Sequence, residues 1–209
     1  MEDVLDVYQR PLDDKRPVVC LDESTKQLVK ETRIPIAAKV GSVEKYDHEY
    51  ERNGVSTLFM MVSPLLGWRH VEVTERRTKL DFARCIKSLV DEWFKDAEKI
   101  VLVMDNLNTH KPASLYEAFE PSEAKRLLNK LEIHYTPRHG SWLDIAEIEF
   151  NVLKKQCLNR RMSDEKFLKS EITAWEIARN NVSGKIDWQF TTKDARVKLK
   201  RLYPSIRDW

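Results

Sequence analysis

The amino-acid sequence predicts an α/β fold in which helices flank a mixed central sheet. Two continuous apolar runs, residues 17–21 and 100–104, have the length of strands that are buried on both faces of a sheet. In residues 81–94 the apolar side chains recur at steps of three and four, which is typical of an amphipathic helix. Strands that alternate with helices along a chain indicate a sheet covered by helical layers.

The first half of the chain predicts a meander of three strands. Gly54 follows three polar residues and indicates a turn. The alternation of apolar and polar residues that begins at Trp68 indicates a strand with one buried face. The predicted elements are a strand that ends at Asp22, a polar loop at 24–49 with at most one edge strand at 34–40, a turn at 51–54, and strands at 55–63 and 68–74.

The second half predicts helices separated by two further strands. Pro121 divides one helical segment, because proline lacks the backbone donor that a helix interior needs, and Ser163 is a suitable N-cap for the last helix. The predicted elements are a helix at 81–94, a strand at 100–104, helical residues at 112–130, a strand at 131–135, and helices at about 143–158 and at 164–180. We expect residues 1–160 to form the core and residues 161–209 a basic helical extension of the same domain.

The composition excludes several classes of protein. The five glycines are too far apart for a dinucleotide-binding fingerprint or a phosphate-binding loop. The three cysteines are also far apart, which favours reduced, buried thiols over a zinc site or a redox motif. No apolar run reaches the ~18 residues of a membrane span, and the acidic N-terminus is unlike a signal peptide. We therefore expect a cytoplasmic protein with no membrane partner.

Positive charge is concentrated at the C-terminal end of the chain. Residues 154–209 contain 14 Lys and Arg against 7 Asp and Glu, whereas the preceding residues contain 22 against 27. A basic end on an acidic body predicts an anionic partner, and nucleic acid is the first candidate. The alternative is an ordinary solvated helix face, which accounts for most charge runs.

Two of the predicted strands end in aspartate, at Asp22 and Asp105. If the two strands are neighbours, their ends lie within ~5 Å of each other. Two carboxylates at that distance repel unless a cation holds them, and oxygen ligands suit Mg²⁺ or Mn²⁺. The alternative is that each aspartate only caps a loop or a helix.

A third carboxylate is expected from the helix at about 143–158, which offers Asp144, Glu147 and Glu149. Glu147 shares a polar face with Asn151, whereas Glu149 projects between two apolar stripes. Glu147 is therefore either a surface glutamate or a ligand, and Glu149 could be a half-buried ligand. Periodicity leaves both open.

These residues belong to three motifs that occur in a recognisable order. The motifs are Val18-Val19-Cys20-Leu21-Asp22-Glu23, Val103-Met104-Asp105-Asn106-Leu107-Asn108-Thr109-His110, and Tyr135-Thr136-Pro137-Arg138-His139-Gly140-Ser141-Trp142-Leu143-Asp144-Ile145-Ala146-Glu147. With the tail at 187–196, they resemble the catalytic part of DDE transposases of the insertion sequence 630 family, the bacterial branch of the mariner superfamily. The resemblance covers nearly the whole chain.

The resemblance implies a ribonuclease-H-like fold with a carboxylate metal site. The metal-binding and catalytic residues of the family fall on Asp22, Asp105 and Glu147, with two Mg²⁺ or Mn²⁺ ions and Asp22 between them. Glu149 stays the alternative to Glu147, and Asp144 fills the Asn/Asp position of the family pattern. Residues 1–160 would be the catalytic core.

The resemblance also implies activity and partners. The expected activity is metal-dependent DNA strand cleavage and strand transfer at terminal inverted repeats, with TA dinucleotides as targets. The expected form is a homodimer on DNA, associated with the nucleoid in a bacterial cytoplasm. Such transposases carry helix-turn-helix domains before the catalytic domain, and only 21 residues precede Asp22 here. We therefore expect a separately encoded helix-turn-helix chain, or a fragment or decayed copy.

Further residues are candidates for supporting roles. Glu23, Asn106 and His110 lie beside the two aspartates in sequence and could orient the carboxylates, a phosphate or a water; a structural hydrogen bond is the alternative. The candidates for contacts with the DNA backbone are Arg138, His139, Lys154, Lys155, Lys198, Lys200 and Arg201.

Two other functions remain open for this sequence. One is an inactive or domesticated DNA-binding remnant that keeps the fold. The other is a ribonuclease or junction nuclease with the same fold, since a fold does not fix the substrate.

Overall fold

The computed structural model describes residues 1–138 and 140–203, and in it a five-stranded mixed sheet lies between two groups of helices. The strands are β1 (Val18–Glu31), β2 (Tyr50–Ser63), β3 (Trp68–Thr74), β4 (Ile100–Met104) and β5 (Leu131–Tyr135). The helices are α1 (Glu2–Tyr8), α2 (Lys79–Ser88), α3 (Ala113–Ala118), α4 (Pro121–Asn129), α5 (Ile145–Leu153), α6 (Glu165–Asn181) and α7 (Thr192–Lys198). The predicted α/β class is confirmed.

The sheet has the strand order β3-β2-β1-β4-β5. Strands β1, β2 and β3 form the predicted antiparallel meander, and β4 and β5 continue the sheet parallel to β1. Since β1 is central, the run from Val18 to Leu21 is buried on both faces, as its continuous apolar character predicts.

Side-chain alternation along the strands divides the interior into two cores. Val18 and Cys20 point into a core that also contains residues of α1, α5 and α6. Val19 and Leu21 point into the opposite core, which α2, α3 and α4 cover. The sheet is thus covered on both faces, which fixes the positions of its strand ends. No helix among the described residues has both the length and the apolar character that a membrane crossing requires.

The hairpin of β1 and β2 is longer than the sequence predicts. Residues 24–31 continue β1 and pair with β2 as far as Tyr50, so the predicted loop and turn are wrong over this part. Gly54, with φ +94°, lies in a bulge of β2 where the register shifts, because a bulge uses a left-handed glycine as readily as a turn does. Residues 34–40 form isolated bridges instead of a strand.

The helices differ from the prediction in one whole helix and in the termini of three others. Helix α1 was not predicted, because its seven residues are too short for a clear period. Helices α2 and α5 each end earlier and continue as a π turn, at Leu89–Trp93 and Lys154–Leu158. The N-cap of α6 is Asp164, whose Oδ1 accepts from the Phe167 amide at 2.9 Å, while the predicted cap Ser163 donates to Asp164.

The basic end of the chain packs against its beginning. Arg196 of α7 makes two hydrogen bonds of 2.8 Å to Glu2 of α1, and Thr192 donates to Asp6. Ala195 is fully buried in the same core as α1 and α6. The exposed charges of α7 are therefore carried on a helix that the body of the fold holds in place.

Candidate active site

Asp22 and Asp105 lie side by side at one edge of the parallel part of the sheet. Leu21 of β1 is in register with Met104, the last residue of β4, so the next residue on each strand is an aspartate. Because β1 continues beyond this point and β4 ends, the two carboxylates lie where the β1–β4 ladder stops.

The Asp22 carboxyl is surrounded by other negative charges. Burial and the charges of Glu23, Asp105 and Glu147 together raise its pKa to about 7, against the lowering effect of a 2.8 Å hydrogen bond from the Glu23 amide to Oδ1. The leading causes of this pKa shift include no positively charged side chain. The environment therefore favours any cation that can enter it.

Helix α5 brings two more carboxylates to the same place. Asp144 is its N-cap, with Oδ1 accepting from the Ala146 amide at 2.9 Å. Burial raises the pKa of Asp144 well above its usual value, and the charges of Asp22, Asp105 and Glu147 add to this effect. The Oδ2 atom of Asp144 and the Oε2 atom of Glu147 are buried and have no hydrogen-bond partner among the described residues.

Glu149, the other glutamate that periodicity left open, lies in a different environment. Its Oε1 is 3.0 Å from Nε of Arg69 on β3 and 2.8 Å from Nε of Arg179 on α6. Glu149 and Arg69 are both almost fully buried. Its charge is therefore already balanced by two arginines, whereas Glu147 has no such partner in the described part of the chain.

A buried histidine holds the second aspartate. Nδ1 of His110 lies 2.6 Å from Oδ1 of Asp105, and Nε2 lies 2.9 Å from Oε2 of Glu23. Burial lowers the pKa of His110, but the hydrogen bond to Asp105 and the adjacent carboxylate of Glu23 outweigh it and raise the pKa to about 9. His110 is fully buried, and the Tyr135 hydroxyl donates to its carbonyl at 3.0 Å. Two of the three predicted supporting residues thus contact the carboxylate group.

The third supporting candidate, Asn106, is exposed in the loop after Asp105. In this loop the amide of Leu107 donates to Oδ1 of Asp105 at 3.3 Å. The position of the Asp105 carboxylate is therefore fixed from its own loop as well as from His110.

The residues predicted to contact DNA lie on the surface, as far as the structure describes them. Lys154 and Lys155 are exposed on the π turn after α5, and Arg138 is exposed before it. Lys198, Lys200 and Arg201 are exposed on and after α7, and Lys198 lies 3.4 Å from Asp194. His139 lies outside the described residues.

The sequence analysis did not identify Arg69, whose contact with Glu149 helps to hold helix α5 against the sheet. Its guanidinium donates to the carbonyls of Gly67 and Gly184, and the side chain of Asn180 pairs with its backbone. The signal was present in the alternation of β3, because Arg69 shares the inward face of the strand with Val71 and Val73. An arginine on that face requires a buried acid, and Glu149 is that acid.

The donor atoms of the site fit a hard divalent cation. Its four carboxyl groups offer only oxygen atoms; they belong to Asp22, Asp105, Asp144 and Glu147. Two of these oxygen atoms, one of Asp144 and one of Glu147, are buried without a hydrogen-bond partner among the described residues. In the part of the chain that the structure describes, no three His, Cys, Asp or Glu side chains already stand in an arrangement that could hold one metal ion. Mg²⁺ does not need three, because it commonly takes one or two carboxylates and completes its shell with water and substrate phosphates.

Comparison with known proteins agrees with this chemistry. A family model described as DDE superfamily endonuclease matches residues 17–169, which include all four carboxylates. A comparison with curated proteins finds no match.

Several solved structures share the fold. The Mos1 Strand Transfer Complex matches with a TM-score of 0.58 and 12% identity over 87% of this chain and 53% of that chain. The Mos1 transposase paired-end complex with left transposon end matches with a TM-score of 0.58 and 16% identity, over 88% of this chain and 52% of that chain. The Mos1 mariner paired end complex with Mn matches with a TM-score of 0.56 and 14% identity, over 87% of this chain and 54% of that chain. The ribonuclease-H-like fold is thereby confirmed, and this chain spans about half the length of the Mos1 chains.

Proposed function

Because the chain belongs to the DDE superfamily of endonucleases, we propose that it is the catalytic core of a transposase that cuts and joins DNA with Mg²⁺ or Mn²⁺. The observation that carries this proposal is the register of β1 and β4, which sets Asp22 beside Asp105 at the end of the parallel ladder. The N-terminal turn of α5 adds Glu147 to the same group of charges.

The proposed roles follow from the surroundings of each carboxylate. Asp22, Asp105 and Glu147 would hold two divalent cations, which supply a lowered pKa for the attacking water and stabilise charge on the leaving 3′ oxygen. Asp22 would be the central ligand of this group, because the charges of both other residues act on it. No nucleophilic side chain is required, since water attacks first and the freed 3′-hydroxyl attacks the target DNA afterwards.

His110 and Glu23 keep the Asp105 carboxylate in place during this reaction. The 2.6 Å contact from His110 to Asp105 removes rotational freedom from the carboxylate, and Glu23 holds the other ring nitrogen. Because the imidazole is fully buried, these contacts persist when DNA covers the edge of the sheet. His110 is therefore a positioning residue in this proposal.

The proposed substrate is the end of a mobile element, with TA dinucleotides as targets. The solved relatives are named as paired-end and strand-transfer complexes of Mos1, which motivates a homodimer on two DNA ends here. Exposed basic residues of the π turn after α5 and of α7 would hold the DNA backbone without reading its sequence. In our proposal, a helix-turn-helix segment would read the inverted repeat, and the complex would reside with the nucleoid.

A nicking assay on supercoiled plasmid tests the catalytic part of this proposal. We expect nicking by the purified chain in Mg²⁺ or Mn²⁺, and loss of at least about a hundredfold in rate for Asp105→Asn and Glu147→Gln, since each removes a carboxylate ligand. Asp14→Asn removes an equally charged but exposed aspartate outside the site and should leave the rate unchanged. Nicking that persists in chelator would contradict the proposal.

The two alternative functions predict different results in the same assay. An inactive remnant would bind plasmid without nicking it. The remnant is the less favoured alternative, because carboxylates that repel one another have no use in a protein that binds no cation. A nuclease for another nucleic acid would cleave an RNA–DNA hybrid or a four-way junction faster than DNA that carries the element ends. Parallel reactions on these three substrates separate the possibilities.

A further inference from the structure

Asp144 is a buried carboxylate to which neither the family pattern nor the three-carboxylate mechanism assigns a charge-dependent role. It is only 2% exposed, and its Oδ2 has no hydrogen-bond partner among the described residues. A carboxyl group buried without a partner costs free energy, because it must either take up a proton or be compensated by a cation.

Capping of α5 explains one oxygen of Asp144 and leaves the other without a role. Oδ1 accepts from the Ala146 amide at 2.9 Å, which is the usual bond of an N-cap. Asparagine and serine cap helices about as well and carry no charge. The cap therefore accounts for a short polar side chain at this position, and the choice of a carboxyl group requires a separate explanation.

The other carboxylates of the site surround the same position. The charges that act on Asp144 are those of Asp22, Asp105 and Glu147, the three residues to which we assign the cations. Glu147 also has a buried oxygen without a partner. The N-cap and the first turn of α5 thus each present a buried carboxyl oxygen without a partner among the described residues, close enough to the two aspartates of the sheet edge for their charges to act on Asp144. A cation at this place would compensate all four groups.

We propose that Asp144 is a fourth carboxylate of the cation site and contributes its charge to metal binding. This inference rests on the proposed function, because it takes the same cation site as given. It assigns Asp144 two tasks. Oδ1 caps the N-terminus of α5, and Oδ2 is available to the cation. The N-terminus of α5 would thus be coupled directly to metal occupancy.

Calorimetric titration with Mn²⁺ and thermal unfolding in chelator test the proposal without measuring catalysis. Asp144→Asn keeps the cap and removes the charge, and Asp144→Ser does the same with a smaller side chain. We expect both to bind Mn²⁺ at least about tenfold more weakly than the original chain, equivalent to about 1.4 kcal/mol. Without metal, we expect Asp144→Asn to raise the midpoint of unfolding by at least about 2 °C, because it removes the cost of a buried carboxyl that must either repel its neighbours or take up a proton.

Two control variants separate this inference from the function on which it rests. Asp14→Asn should leave both measurements unchanged, and Asp105→Asn should abolish tight Mn²⁺ binding. If Asp105→Asn loses binding while Asp144→Asn retains the original affinity, Asp144 is only a cap and the inference is wrong, while the proposed function stands. If the original chain itself does not bind Mn²⁺, the proposed function fails together with the inference.

Discussion

Glu147 and Glu149 are two residues apart on α5, yet their surroundings give them different chemistry. Glu149 is paired with Arg69 and Arg179, while Glu147 adds its charge to that of Asp22. Helical periodicity could not decide between the two glutamates, because the deciding partner of Glu149, Arg69, comes from a strand 80 residues earlier in the chain. Asp22, in contrast, could be predicted locally, since a buried apolar run that ends in an acid is visible in the sequence.

The buried pair of Arg69 and Glu149 yields a prediction on stability. Arg69→Met leaves Glu149 buried with only Arg179, so we expect the free energy of unfolding to fall by about 3–5 kcal/mol. The double variant Arg69→Met with Glu149→Leu removes both buried charges and should recover at least about 1 kcal/mol. Urea denaturation measures both changes.

The matched control for this pair is Arg16→Met, which breaks an exposed contact with Glu132. It should cost less than about 1 kcal/mol, because exposed ion pairs contribute little. A double variant that is less stable than Arg69→Met alone would contradict the assignment of a buried, mutually compensating pair.

His70 gives a prediction on the pH dependence of stability. Burial lowers the pKa of His70, but hydrogen bonds to Glu176 and Glu72 outweigh it and raise the pKa from 6.5 to about 9. The stabilising charge is fully present below pH 6.5 and is lost as the pH rises through about 9. Between those values we expect a loss of about 1–3 kcal/mol in the free energy of unfolding that His70→Gln does not show.

Chemical denaturation at pH 6 and pH 10 measures this difference. His48→Gln is the control, since His48 is an exposed histidine of the long hairpin. Equal pH dependence in the His70→Gln variant and the original chain would show that the acids beside His70 do not hold its proton.

At the scale of elements, the sequence predicts strands and helices better than the connections between them. Strands β4 and β5 have the predicted bounds, because each is a short apolar run with clear termini. The long arm of β1 and β2 was predicted as a loop, since most of its outer residues are exposed or half-buried and the single buried one, Leu28, makes no hydrophobic pattern. Pairing between two such strands depends on backbone hydrogen bonds, which a side-chain pattern does not reveal.

Two glycines of the hairpins provide a matched pair of substitutions. Gly67 has φ +67°, and a Cβ there would lie 2.8 Å from the backbone of Ser183, which follows α6. Gly54 has φ +94° and no atom within 4 Å of an added Cβ. We expect Gly54→Ala to cost about 1–2 kcal/mol from backbone strain alone, and Gly67→Ala to cost about 1–3 kcal/mol more from the clash.

Thermal or urea unfolding of the two variants gives the comparison directly. A larger cost at Gly67 means that β3 and the end of α6 are in the close contact described above. Equal costs would mean that the segment after α6 moves away from Gly67 without loss.

At the scale of the whole molecule, the uneven distribution of charge predicts DNA binding that depends on salt. Basic side chains that contact phosphates release counterions, so the logarithm of the binding constant should fall with the logarithm of salt by about 0.9 per phosphate contacted. The net positive tail was evident in the sequence, whereas its attachment to α1 was not, because the two helices are at opposite ends of the chain.

Replacement of Lys198, Lys200 and Arg201 by glutamine tests the role of the tail. We expect weaker binding, by a similar factor on any duplex, and a salt slope that is less steep by up to about 2.7. A control variant removes the same amount of positive charge outside the basic tail. It replaces three exposed residues by glutamine, namely Lys15, Arg84 and Lys95. Fluorescence anisotropy over a range of salt measures both. Equal weakening by the two triple variants would assign the effect to net charge and not to the tail.

The order of the strands in the sheet has a consequence for a chain that is still being synthesised. The proposed carboxylates come from β1, from the end of β4 and from the start of α5, so the last of them, Glu147, lies more than two thirds of the way along the chain. The pairing of β1 with β4 also joins residues about 80 apart, and such distant parallel pairing forms late in folding. On the proposed function, a ribosome-bound chain would therefore carry no assembled cation site until α5 has left the exit tunnel.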